Sequence, residues 1–206
     1  KENFAEMYRE CQSLMNLNSN DLVVDIGSND GNLLSNFKDG HKVVGVTPEE
    51  IGKIAISRGI PTIISYSGKE VVKSILAEHG PAKVITATNV FAHIDGINEI
   101  VKCILELLDK DGVFITECHY LGSLIETLQY DTIYHEHLMY YSLHSLKFLL
   151  EQHGLEVFHA KQIPTHGGSI RAYVSRKGKF KIKPTVAEIL NKEKEIDLEG
   201  RGLVGF

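Results

Sequence analysis

Residues Asp131–Tyr141 read DTIYHEHLMYY and crowd acid–base side chains into one short stretch. Histidine titrates near neutral pH and can take a proton, a tyrosine hydroxyl can donate to a developing oxyanion, and a carboxylate can orient either group. Tyr134, Glu136 and His137 are therefore candidates for general acid–base work. A second stretch, Pro164–Arg171, reads PTHGGSIR and sets His166 before Gly167 and Gly168, with Arg171 entering the strand that follows. His93, His119 and Tyr120 lie at the ends of two apolar runs. Arg171 has two readings: a partner for a diphosphate, or a structural anchor for Asp131 or Glu117. Tyr140 and Tyr141 read as packing residues. His41, His79, His144, His153 and His159 read as surface or helix-end residues. His135 and His137 stand two apart without a matching Cys or His pattern, so no metal site is expected.

A third stretch, Leu22–Leu34, reads LVVDIGSNDGNLL. Three apolar residues lead into Asp25, and a turn with Gly27 and Gly31 follows before Leu33 and Leu34 open a helix. Glycines at such a junction let backbone N–H groups approach a ligand with no Cβ in the way. The spacing is Gly-x-x-x-Gly, looser than the triple glycine of a pyrophosphate-binding turn. With Asp25 ending the strand and Ser28, Asn29 and Asp30 inside the loop, it suits a ligand carrying an ammonium and a carboxylate. The amino-acid end of S-adenosylmethionine (SAM) is such a ligand. The plainer reading is a βα turn whose glycines serve geometry alone.

The elements that must position these groups alternate. Phe4, Tyr8, Cys11, Leu14 and Met15 recur at helical spacing, so a helix is expected over 1–18. Strands are expected at Leu22–Ile26, Lys42–Val46, Ile60–Ile64, Lys83–Ala87, Val113–Glu117, Leu155–Gln162 and Ser169–Arg176. The helices between them are expected from Pro48 to Arg58, from a Ser67 cap to Glu78, over Gly96–Leu108 and over Ser142–His153. Lys110-Asp111-Gly112 reads as a turn. The last two strands are close enough to be antiparallel. The fold class is α/β: a Rossmann-like, mostly parallel seven-stranded sheet with an antiparallel last strand and helices on both faces. Its body is expected over 19–178, with 179–206 starting a linker or further domain and a helix leaving from Pro184. Ligands of such sheets sit at the carboxyl ends of the strands. That directs attention to Gly27–Asn29, Thr47 and Pro48, Asn89, Val90 and Phe91 up to His93, and Glu117–Tyr120.

Composition sets wider bounds. A net charge of −5 over 206 residues argues against a nucleic-acid partner, which usually needs a basic face. No run approaches the roughly 18 apolar residues of a membrane span, and no signal peptide is expected from the residues given. Cys11, Cys103 and Cys118 lie in or beside apolar runs and read as buried free thiols of a reducing, cytoplasmic setting. The chain starts at Lys1 and stops at Phe206 inside an expected helix, as a piece of a longer protein would.

DIGSNDGNLL, TNVFAHI, DGVFITECHYLGSL, YDTIYHEHLMYYSL and IPTHGGSIR together resemble the SAM-dependent sugar-nucleotide C-methyltransferases, which methylate a carbon of a deoxy-ketosugar. The resemblance covers most of the chain, and Tyr-x-Glu-His with Pro-x-His-Gly-Gly is its most specific part. It implies SAM as cofactor and a nucleotide-linked sugar as small-molecule substrate. It also implies a zinc module before Lys1 and a C-terminal domain after Phe206. Tyr134 and His137 are implied over the reacting carbon, with Glu136 and His93 nearby. On this reading His137 is the base and Tyr134 the oxyanion donor or alternate base. Glu136 orients His137 or a sugar hydroxyl. Asp25, Gly27, Ser28, Asn29, Gly31, Thr47, Pro48, Asn89, Val90 and Phe91 line the cofactor, and His119, Tyr120, His166, Gly167 and Arg171 the acceptor. The family has a glutamate at the end of the second strand to hold the ribose. Here Thr47 stands there, with Glu49 two residues on as a substitute, and a restored carboxylate at 47 is expected to tighten the cofactor. Two rivals fit the same residues: an O- or N-methyltransferase, and a methyltransferase-like scaffold that has lost its ligand.

Overall fold

The computed structural model of the chain describes residues 2–129, 133, 135 and 137–196, with position 166 described by its backbone alone. Seven strands form one sheet: β1 (Leu22–Ile26), β2 (Lys42–Thr47), β3 (Thr62–Ile64), β4 (Ala82–Thr88), β5 (Leu108–His119), β6 (Leu155–Ile163) and β7 (Ser169–Arg176). Their order is β3-β2-β1-β4-β5-β7-β6, the mixed α/β sheet expected from the alternation. β1 pairs in parallel with β2 and β4, and β2 with β3, while β6 and β7 are antiparallel. The chain divides into two compact units. One is built on residues up to Ala87 with Lys102–Phe114, the other on Thr88–Val101 with the chain from Ile115 on.

In the first unit every residue of β1 is buried, the pattern of a strand covered on both faces. Register levels the strand ends: Ile26 lies opposite Val46 and Ala87. Gly45 lets β2 pass the glycine loop, since a Cβ there would come within 2.6 Å of Ser28 Oγ. Helix α1 (Glu2–Met15) buries Met7 and Cys11. Its Tyr8 meets Phe37 edge-on at 5.0 Å. His41, read as a surface residue, is instead buried there, with Nδ1 2.8 Å from Asn18 O and Nε2 2.7 Å from the Gln12 amide.

The helix expected after β1 is reduced to a 3-10 turn at Leu34–Asn36. Side chains compete for its backbone: Ser35 Oγ donates to Gly31 O, and Asn36 Nδ2 to Asn32 O and Leu33 O. Helix α2 starts at Gly52 rather than at Pro48 and ends at Ser57. Helix α3 (Lys69–His79) follows an extended Gly68 and draws no side-chain cap from Ser67. After α4 (Ile97–Leu107), β5 begins at once. The turn expected at 110–112 is absorbed into it, with Gly112 so near β4 that a Cβ would lie 2.9 Å from Ala82 O.

The second unit holds α5 (Leu121–Glu126), unforeseen in the sequence, with α6 (Leu143–Glu151), β6, β7 and α7 (Pro184–Glu195). Ser142 caps α6 by accepting from Ser145 N, and Ser145 Oγ accepts in return from Ser142 N. The helix expected to leave from Pro184 is α7, which packs on β6 and α6 and buries Val186 and Glu193. All three cysteines are free and buried.

Candidate functional site

The glycine loop of the first unit is held by its neighbours rather than by a helix. Gly27 and Ser28 both donate to Val46 O, at 2.8 and 3.1 Å, and Gly31 N donates to Ser28 O at 2.9 Å. Gly27 and Gly31 have φ of 77° and 78°, a region where a side chain is strained. At Gly31 a Cβ would also lie 2.7 Å from Ile60 Cδ1. Asn29 takes φ 49° and donates from Nδ2 to Gly27 O. Asp25 is buried and accepts from Thr86 Oγ1 at 2.7 Å. Ser28 Oγ is buried with no hydrogen-bond partner among the described residues. Arg58 Nη1 bonds Asp30 through both the backbone oxygen and the carboxylate, at 2.9 and 3.0 Å. The sequence held no signal for that clamp. Thr47 is buried at the end of β2, while Pro48 and Glu49 are exposed.

The second unit gathers the histidines. Asn89 follows the last residue of β4, and its N–H bonds Glu117 O of β5 at 2.8 Å. Asn89 takes φ 56°, and its buried Oδ1 has no partner among the described residues. Val90 leads into the 3-10 turn Phe91–His93. Phe91 is buried against Tyr141, at 6.3 Å between centroids. His93 and His119 both pack on the His137 ring, at 5.0 and 4.9 Å between centroids. Tyr140 adds an edge contact to His137 at 5.8 Å. Leu138 N donates to Ala92 O at 2.8 Å, which ties this segment to the turn bearing His93. Tyr141 is a packing residue, as expected, with its phenol on Phe91 O and Met139 Sδ. Tyr134, Glu136 and Asp131, and the side chain of His166, lie outside the described residues. Among those described, no group of three His, Cys, Asp or Glu side chains is arranged to hold a metal ion.

Arg171 has no exposed surface, and its Nε donates to Glu117 Oε1 at 2.5 Å. The anchoring reading therefore describes its contacts, and a diphosphate has no access to it. Burial works against this guanidinium, but Glu117 and Tyr173 outweigh it and raise its pKa above the ordinary value. Tyr120 is buried too; burial first, then the charge of Glu193, pushes its phenol up. Gly167 lies beside Gln129, which donates from Nε2 to Gly167 O at 2.7 Å. This arrangement can hold a proton-accepting imidazole next to two others, at the end of a strand anchored by a buried ion pair.

Residues 2–160 match the methyltransferase-domain family. The C-methyltransferase NovU of Streptomyces niveus is 39% identical over 187 residues, which are 89% of this chain and 44% of that protein. The chain thus spans less than half the length of this relative. Among solved structures, the magnesium protoporphyrin IX methyltransferase of Synechocystis with bound SAH superposes with a TM-score of 0.64 at 15% identity, over 85% of this chain and 83% of that one. A SAM-dependent methyltransferase of Clostridium acetobutylicum gives 0.64 at 15%, over 86% and 92%. At such identity the likeness speaks for the fold, while the match to residues 2–160 speaks for descent, and the chain belongs to the methyltransferase-domain family.

Proposed function

We propose that the chain is the SAM-binding part of a C-methyltransferase that acts on a nucleotide-linked ketosugar. The observation that carries this reading is the packing of His93 and His119 on His137. A C–H beside a ketone is a weak acid, so its removal needs a positioned base and a donor to the enolate oxygen. His137 takes the proton, and Tyr134 or a neighbouring imidazole donates to the oxygen. Glu136 orients His137 or a sugar hydroxyl, and His93, His119, His166 and Gly167 surround the acceptor, whereas Tyr120 is buried like Arg171. Arg171 is read as an anchor that fixes Glu117, two residues before His119. The name of the relative, a C-methyltransferase, supports carbon as the acceptor atom.

SAM is the cofactor. The residues present fit it: a loop that strains any residue but glycine at φ 77° and 78°, with the unpartnered Ser28 Oγ inside it. When bound, SAM supplies an electrophilic methyl group on a sulfonium. Asp25, Gly27–Asn29, Gly31 and Pro48 hold it on this reading, while Thr47 is buried, and Asn89, Val90 and Phe91 stay expectations from the sequence. The zinc module and C-terminal domain implied by resemblance belong to this same proposal.

Deuterium exchange into the carbon beside the ketone, measured without methyl donor, tests the reading. The wild-type chain exchanges, and His137→Ala slows exchange by about 10²-fold, as expected for a positioned base. SAM affinity, measured by calorimetry, stays unchanged. Methylation of an oxygen or nitrogen acceptor with no carbon exchange would overturn the carbon assignment.

A further inference from the structure

We infer that Glu193 is a positioning residue for His137: its buried carboxylate pins the start of α6 and holds one end of the segment that carries the histidine. This rests on reading His137 as the base. Glu193 is 2% exposed. Its Oε1 accepts from Leu143 N at 2.5 Å and its Oε2 from His144 N at 3.0 Å. These are the first amides of α6, which no carbonyl inside the helix can satisfy. Ser142 Oγ accepts from the next, Ser145 N, at 3.1 Å. The first turn is thus satisfied from two directions, one of them 50 residues away in sequence. A serine cap alone serves most helices. The added carboxylate puts negative charge at the positive end of α6 and makes charged bonds out of neutral ones.

What α6 anchors is a short strap. Tyr141, just before the Ser142 cap, bridges to Tyr120, and its carbonyl accepts from Leu121 N at 2.9 Å. At the other end Leu138 N is bonded to Ala92 O. His137 and Tyr140 therefore lie on a segment bonded to the His93 turn on one side and to α6 on the other. A displacement of about 1 Å in such a strap is enough to spoil the alignment of a proton transfer. Glu193 lies beyond residue 160, where the family match ends. The strap is thus held by a part of the chain outside the region that defines the family.

The test uses the whole chain. Glu193→Gln keeps the size of the side chain but turns an NH2 toward one of the two amides. Lys192→Ala, which removes an exposed contact of α7 with Glu126, is the control. Three readings are taken: the ring resonances of His137 by NMR, SAM affinity by calorimetry, and carbon deuterium exchange. Glu193→Gln is expected to shift or broaden the His137 resonances and slow exchange about tenfold. Its SAM affinity stays within about twofold of wild type, and Lys192→Ala changes none of the three. A lowered melting temperature with His137 resonances and exchange as in wild type would overturn the proposal, since Glu193 would then only stabilise. If the wild-type chain shows no exchange, the carbon-acid reading fails, and the His137 resonances still decide the role of Glu193. Should Glu193→Gln fail to fold, Glu193→Asp, which keeps the charge one methylene short, is read in the same way.

Discussion

The resemblance expects an acidic residue for the ribose where Thr47 stands, but the surroundings of Thr47 are closed. It is 2% exposed, and a Cβ on Gly52 would lie 2.8 Å from its Cγ2. A glutamate at 47 would have to bury a carboxylate under the start of α2 or push that turn outward. Burial without a partner disfavours the charged form and costs stability. The buried setting reverses the expectation drawn from the sequence. Thr47→Glu is expected to lose about 2–4 kcal/mol of stability and to gain no SAM affinity. Urea denaturation and calorimetric titration check the two halves separately. Tighter binding at unchanged stability would mean that the end of β2 opens toward the ligand.

Among the elements, β5 and β7 are joined by the pair Glu117–Arg171. Removing one partner of a buried pair leaves an uncompensated charge, whereas replacing both with apolar groups is often neutral. Arg171→Met is expected to cost about 3–5 kcal/mol, and Glu117→Leu combined with Arg171→Met to recover most of it. Denaturant midpoints of the single and double variants decide this; an additive double variant would mean that the two side chains act independently. The strands were legible because apolar runs such as LVVDI can only be covered on both faces. The hairpin β6–β7 was legible because the short join over 164–168 leaves room only for an antiparallel return. The helix after β1 was misread because Ser35 and Asn36 look like ordinary helix residues until their side chains are seen bonded to the backbone. At the site, the glycine loop was legible as a local pattern. The nearness of His93 to His137 came from the family resemblance and from no local pattern, because ring contact depends on strand order. Glu193 had no local signal at all, since its partners lie on another helix.

For the whole molecule, three buried acids set the alkaline limit. Burial, then Glu117, raises the Cys118 thiol; burial raises Tyr120 ahead of Glu193, and Tyr141 ahead of Cys118. Each pKa is higher folded than unfolded, so each contribution is fully present below the unfolded pKa and is lost as pH rises. Thiols ordinarily titrate near about 8.5 and phenols near about 10. Stability is therefore expected to fall steadily above about pH 9, as the unfolded chain releases protons that the folded chain keeps. Urea midpoints between pH 7 and 11 measure it; a flat profile would show that these groups ionise in the folded state as freely as in solution. The sheet order has a further consequence, for synthesis. β7 lies between β5 and β6, so the edge of β5 stays open on the ribosome until the last strand emerges. An open edge invites pairing with other nascent chains, and a charge pointing inward from that edge discourages it. Until Arg171 arrives, Glu117 is such a charge: the residue that anchors the finished strand also guards the unfinished one.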